Sequence, residues 1–144
     1  MCIRDSSWGV PHIFGRTDPD VAYGIAYAHA EDDFHTLQDV LAMTRGRLGA
    51  ISGQNGAKTD YVVHLLGARE TVDRDYDKQP GDVRALLDGY ASGMNRYAER
   101  HPGEVKLARL FPVNGRDIAV GFVVRSPFFF GPVSYTHLTL PTKA

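Results

Sequence analysis

Residues 17–49 read TDPDVAYGIAYAHAEDDFHTLQDVLAMTRGRLG, and the spacing of their side chains decides the fold. Thr17 or Asp18 can accept hydrogen bonds from the free amides of a first helical turn, and Pro19 follows where a missing N–H costs nothing. Ala22, Ile25, Ala26, His29, Ala30, Asp33, Phe34, Leu37, Val40, Leu41 and Leu48 then recur at intervals of three and four, which draws one mainly apolar face along a helix. Ala22, Ala26 and Ala30 keep the first half of that face thin enough for a partner backbone to approach closely. Phe34, Leu37 and Leu41 make the second half thick. Arg45 and Arg47 complement the negative end of the helix dipole, and Gly46 or Gly49 offers a left-handed residue to end it. The spacing predicts a long central helix with the rest of the chain packed on it.

Working outward, residues 51–58 (ISGQNGAK) are rich in Gly and Asn and read as a loop. A second helix starts at Thr59 or Asp60, carries Val62, Val63, Leu65 and Leu66, runs through Gly67 and fades by Asp75. A third begins at residues 80–82 and places Val83, Leu86, Leu87, Tyr90, Met94 and Tyr97 on one face until His101-Pro102-Gly103 stops it. Residues 107–112 are a short apolar connector. Asn114 and Asp117 form a capping pair for a last helix through Val124, and Pro127 ends it. Upstream, WGVPHIF at residues 8–14 contains Pro11, which cannot donate to a sheet ladder, so an edge strand or extended arm is expected. The fold class is mainly α.

The chain has 144 residues, is 43% hydrophobic and carries a formal net charge of −1. It therefore lacks the basic excess of a nucleic-acid binder. Its one cysteine, Cys2, has no internal partner for a disulfide or a metal site. The best apolar run, residues 118–124, is far short of the roughly 20 residues a membrane helix needs, and no signal peptide is visible. Both ends differ in character from what lies between. MCIRDS at residues 1–6 and VSYTHLTLPTKA at 133–144 resemble translated sequencing-adapter peptides, and the second has no acidic residue and no helical period. The expected organisation is a foreign-looking terminus at 1–6, one partial domain at 7–132 and a foreign-looking terminus at 133–144, so that the domain is a piece of a longer protein.

Several clusters invite a chemical reading. His29, Glu31, Asp32, Asp33 and His35 include two pairs at i, i+4, but the pairs point in different directions. A metal site needs three or four converging ligands, so a solvated acidic face is expected and no metal ligand is assigned. Gly53, Gly56, Lys58 and Thr59 imitate a phosphate loop, yet Ala57 stands where that loop requires glycine beside the lysine, and no strand leads in. Ser52, Ser92 and Ser126 lack the G-x-S-x-G setting of an activated nucleophile, and His12 has no nucleophile near it, which favours a structural role. No catalytic residue is assigned.

The order of these features resembles the penicillin acylase family. The motif GVPHI at residues 9–13 is followed by the acidic helix cap, the Gly-containing helix start at Tyr23-Gly24, the step Ala30-Glu31-Asp32 and the ending Gly46-Arg47-Leu48. Later stretches fit as well: residues 58–61 (KTDY), 88–95 (DGYASGMN) and 126–131 (SPFFFG). The resemblance implies one part of an α+β (αββα) N-terminal-nucleophile hydrolase, made as a precursor that cuts itself into a small helical chain and a large chain. The large chain's new N-terminal Ser, Thr or Cys is the nucleophile and its own α-amino group the base, a group that titrates near 8. On that reading this segment belongs to the small chain, stops before the nucleophile and has no activity alone. Its partners are the large chain and a small-molecule amide: a β-lactam side chain, an acyl-homoserine lactone or an acylated peptide. The resemblance further implies a periplasmic or secreted parent with room for a structural calcium ion, and no cofactor in this segment. It places Phe122, Phe128, Phe129 and Phe130 at the pocket for the acyl side chain. The residues themselves leave pocket lining and interface packing evenly weighed for that run. A small helical interaction module without catalysis is the other reading that the bare pattern permits.

Overall fold

A computed structural model describes residues 2–129; the expectations for residues 133–144 and for Phe130 fall outside them. The first long helix, α1 (Asp18–Thr44), begins on a reciprocal cap: Thr17 Oγ1 accepts from the Asp20 N–H at 3.3 Å, and the Asp20 carboxylate accepts from the Thr17 N–H at 3.2 Å. Its alanine and leucine stripe is buried as the spacing predicts, with Ala26 and Ala30 fully enclosed and Phe34, Leu37 and Leu41 below them. The helix is not continuous. Asp33 leaves helical geometry (φ −151°, ψ 65°), and its carboxylate accepts from the Thr36 N–H at 3.0 Å. It thus caps a second helical half, which is a role aspartate suits better than a helix interior. That hydrogen bond to Thr36 holds the Asp33 carboxyl below its ordinary pKa.

The largest departure from expectation comes next. Residues 51–58 are helical, within α2 (Gly49–Leu65), and only Gly53 breaks it at φ 61°, ψ −140°, a region essentially reserved for glycine. Glycine-rich sequence makes two short helical pieces here because a distant carboxylate closes them. Asp60 accepts from the Leu48 and Gly49 N–H groups at 2.9 and 2.8 Å, which supplies the partners that the first helical amides need. Gly56 lets the second piece lie against the first, since a Cβ there would stand 2.5 Å from the Leu48 carbonyl oxygen.

Gly67, at φ 59°, ends α2 and opens a separate helix, α3 (Ala68–Asp75); two helices replace the single one expected across it. A 3₁₀ turn at Tyr76–Lys78 leads to α4 (Gly81–Arg100), whose limits match the sequence reading. α4 crosses α1 at its thin half. A Cβ at Gly89 would come within 2.5 Å of the Pro19 carbonyl oxygen, and one at Gly93 would collide with that of Tyr23. The approach forecast from Ala22, Ala26 and Ala30 therefore takes small residues on both helices.

After a 3₁₀ turn at Pro102–Glu104, residues 105–114 run without regular structure and are tied down by side-chain amides. Gln38, 1% exposed, donates to the Glu104 carbonyl at 3.0 Å and accepts from the Lys106 N–H at 2.7 Å. Asn95 does the same for both backbone groups of Val113 at 2.8 Å. The last helix, α5 (Gly115–Phe129), opens on the expected pair: Asn114 Oδ1 accepts from the Asp117 N–H and Asp117 Oδ2 from the Asn114 N–H. It continues past Pro127, where termination was expected. Pro127 lacks the N–H for one i→i−4 bond, so the helix forfeits a single hydrogen bond there.

Two apolar clusters join these elements. One combines α1 and α4 with Leu110 and Val113 of the connector. The other combines Val63, Ala68, Val72 and Tyr76 with Leu87 of α4 and with Val120 and Val124 of α5. At the N-terminus β1 (Cys2–Asp5) pairs antiparallel with β2 (Pro11–Phe14), Cys2 opposite Phe14 and Asp5 opposite Pro11. Residues 2–5, set aside above as foreign to the fold, thus supply the strand against which the extended WGVPHIF arm pairs. The arm's Pro11 and Ile13 are half-buried, while His12 and Phe14 are exposed.

Candidate functional site

α1, α4 and α5 leave an apolar groove of about 420 Å³ between them. Its floor is Leu41, Leu87 and Met94, all buried. Leu37 and Val40 of α1, Leu86 of α4 and Ile118 and Phe122 of α5 rise as walls. Phe122 stands at the rim, 68% exposed, and Leu86 is 42% exposed. At one end His29 Nδ1 and the Tyr90 hydroxyl are 2.9 Å apart, and burial raises the Tyr90 pKa above that of an ordinary phenol. Arg125 also borders the groove. An apolar concavity of this size with a few polar groups at its margin is what hydrocarbon-bearing ligands and covering protein segments both use.

The groove brings Phe122 together with the apolar faces of α1 and α4, which sequence reasoning had assigned to packing alone. Phe128 and Phe129 lie in the final turn of α5, with their backbone only among the described residues, and Phe130 lies beyond them.

The helix that carries Phe122 is anchored by a cluster that the sequence did not disclose. Asp117, 1% exposed, accepts from Arg45 Nε and Nη2 at 3.2 and 2.7 Å, from Arg69 Nη1 at 2.7 Å and from the Asn114 N–H at 3.0 Å. Burial alone would raise its pKa, but the two guanidinium groups and the backbone bond outweigh burial and hold it below the usual carboxylate range. Arg45 also donates to the carbonyls of Leu110 at 2.7 Å and Pro112 at 3.0 Å. One residue thereby fixes the C-terminus of α1, the connector and the N-terminus of α5. Asp117 is paired with both Arg45 and Arg69, so the cluster is a fastening. Arg45 had been read as a dipole complement and Asp117 as a cap. The available signal was an acidic residue opening an otherwise apolar helix, DIAVGFVV.

The remaining clusters resolve into local roles. His29 bonds Tyr90, His35 sits 3.7 Å from Asp39, and Asp33 caps Thr36. Among the described residues no three His, Cys, Asp or Glu side chains converge on a possible metal position. Ahead of the imitation phosphate loop, the Leu48 and Gly49 amides donate to Asp60. Ser92 and Ser126 donate to the carbonyls of Asp88 and Phe122, four residues back on their own helices, and Ser52 is exposed. Among the described residues none of these serines has a histidine hydrogen-bonded to it.

Comparison with known proteins places this helical unit in a family. The sequence model of the penicillin amidase family matches residues 2–131, and the chain belongs to that family. It is 32% identical over 107 residues to an acyl-homoserine lactone acylase, PvdQ, of Pseudomonas fluorescens (strain Pf0-1), a match covering 68% of this chain and 14% of that protein. It is 24% identical over 95 residues to the penicillin acylase 2 proenzyme of Pseudomonas sp. (strain SE83), covering 66% of this chain and 12% of the relative. Among solved structures a thermostable penicillin G acylase from Alcaligenes faecalis superposes with a TM-score of 0.76 at 23% identity, over 96% of this chain and 78% of that one; this likeness speaks for the fold. The chain spans about one seventh of the length of the curated relatives it matches. Among the described residues no helix is long and apolar enough to cross a membrane.

Proposed function

We propose that this chain is the small-chain portion of an acylase that hydrolyses a side-chain amide, and that it lends the enzyme one apolar wall for the acyl group while the nucleophile lies in the remainder of the precursor. The observation that carries the reading is the groove between α1, α4 and α5, with Phe122 at its rim, in a chain of the penicillin amidase family. Such a wall takes hydrocarbon out of water and so favours substrates with an aliphatic or aromatic acyl group. Relatives named as acylases of acyl-homoserine lactones and of penicillins support an N-acyl amide as substrate, and an acylated peptide presents the same bond. The chemistry is attack on the amide carbonyl by an N-terminal hydroxyl or thiol whose own amine takes the proton. In this arrangement α5 positions the acyl chain, and Asp117 with its two arginines holds α5. The large chain is the partner that covers what this segment leaves exposed, and a periplasmic or secreted parent follows from the same resemblance.

The test is to express the complete reading frame, follow self-cleavage by mass spectrometry, and assay the product on dodecanoyl-homoserine lactone and on a chromogenic phenylacetyl amide. Cleavage into two chains and turnover of either substrate is expected. A full-length protein that stays uncut and hydrolyses neither would leave the non-catalytic helical module as the reading.

A further inference from the structure

We propose that Gly121 sets how long an acyl chain the groove accepts, an inference that rests on the acylase reading above. A glycine weakens a helix interior relative to alanine, so one in mid-helix calls for a reason. Four other glycines supply theirs. Gly53 and Gly67 have positive φ, which other residues avoid, and Gly89 and Gly93 lie so close to the α1 backbone that a Cβ would collide. Gly121 has neither excuse. It sits inside α5 without a positive φ, and among the described residues a Cβ on it would meet only Thr44 Cγ2, at 3.7 Å, which is ordinary contact.

What the missing side chain leaves is space in the groove. Ile118, Gly121, Phe122 and Arg125 follow the i, i+3, i+4, i+7 spacing that puts residues on one helix face, and all four border the cavity. Gly121 is the gap in that stripe. Ile118 and Phe122 flank it, Thr44 lies behind it, and Arg125 stands one turn further on. A Cβ at 121 would lie against Thr44, which itself borders the groove, so a longer side chain there would take up part of the groove's space. The occupant is the hydrocarbon of the substrate's acyl group. A cavity of about 420 Å³ falls within the range of small-ligand pockets, and its leucine, isoleucine, methionine and phenylalanine lining matches an uncharged alkyl chain.

The experiment uses the complete, self-processed enzyme with Gly121→Ala and Gly121→Leu, both strong helix formers that leave α5 intact. Specificity constants are compared for butanoyl- and dodecanoyl-homoserine lactone. For Gly121→Leu the ratio of long to short chain should fall by about tenfold or more, the discrimination that one or two methylene contacts provide, with Gly121→Ala between it and the wild type. Self-cleavage and the thermal midpoint should hold. A ratio that stays within about twofold in the folded, active variants overturns the assignment. So does a loss of self-cleavage or of thermal stability already in Gly121→Ala, which would show that the remaining protein, and not substrate, lies against this glycine. A wild-type enzyme that hydrolyses neither lactone refutes the acylase reading and this inference with it, whereas an active enzyme with an unchanged ratio refutes this inference alone.

Discussion

Replacing Asp117 with alanine should loosen α5 more than removing either arginine that binds it. Asp117 is the shared acceptor: the change strips Arg45 of two hydrogen bonds, Arg69 of one and the Asn114 N–H of its partner. Breaking a buried charge pair by deleting one member costs roughly 3–5 kcal/mol, because the other charge is left without compensation. Here the surviving partners are less committed. The Arg45 side chain is 21% exposed and keeps the carbonyls of Leu110 and Pro112, and that of Arg69 is 40% exposed. The expected loss is therefore at the low end, about 3 kcal/mol. Arg69→Ala removes a half-exposed partner and leaves Asp117 still bound by Arg45, so about 1 kcal/mol is expected. Hydrogen exchange of the α5 amides in the full-length protein reads this opening free energy locally. If Asp117→Ala changes α5 protection by less than about 1 kcal/mol, or if Arg69→Ala costs as much as Asp117→Ala, the carboxylate is not the fastening described and the helix is held by Val120 and Val124 alone.

Two further outcomes follow from the same geometry. Because the folded Asp117 pKa is lowered, its contribution is fully present above the unfolded carboxylate value of about 3.9 and is lost as pH falls through the folded value; acid-unfolding curves of the wild type should steepen below about pH 4, and Asp117→Asn should flatten that limb. Gly93→Ala forces a methyl group against the Tyr23 carbonyl and to 2.9 Å from the Ala26 Cβ, so chemical denaturation should show a loss of about 1–3 kcal/mol, whereas Gly121→Ala should cost nothing.

What could be read from the sequence, and what could not, separates by the reach of the interaction involved. The limits of α4, the cap at Thr17 and the Asn114–Asp117 pair depend on residues three or four apart, and each is found as the spacing indicates. The thin half of α1 was legible for a related reason. Three alanines four apart have little use except close packing, and Gly89 and Gly93, also four apart, meet the same half of α1 at Pro19 and at Tyr23 and Ala26. The helical character of residues 51–58 was hidden because local propensity points the other way, and the Asp60 carboxylate that overrides it lies 11 and 12 residues from the amides it caps. Asp33 could be seen as a helix-cap residue, but a break inside a strong apolar period gives no mark of its own.

The site divides along the same line. Phe122 was singled out through the resemblance, yet the walls around it come from faces already assigned to the core, since leucines at helical spacing look the same whether a neighbouring helix covers them or a groove leaves them half open. Leu86 and Leu87 show this in adjacent residues: Leu87 is 8% exposed and enters the second apolar cluster, while Leu86 is 42% exposed and borders the groove. Periodicity reports that a face is apolar, and only the arrangement of three helices reports that one part of it has been left without a partner. That part lies beside the helix that Asp117 anchors, over 70 residues in sequence from Arg45. The ion pair fixes the N-terminus of α5 against α1, and the groove lies along the Ile118 to Arg125 face of the helix so placed.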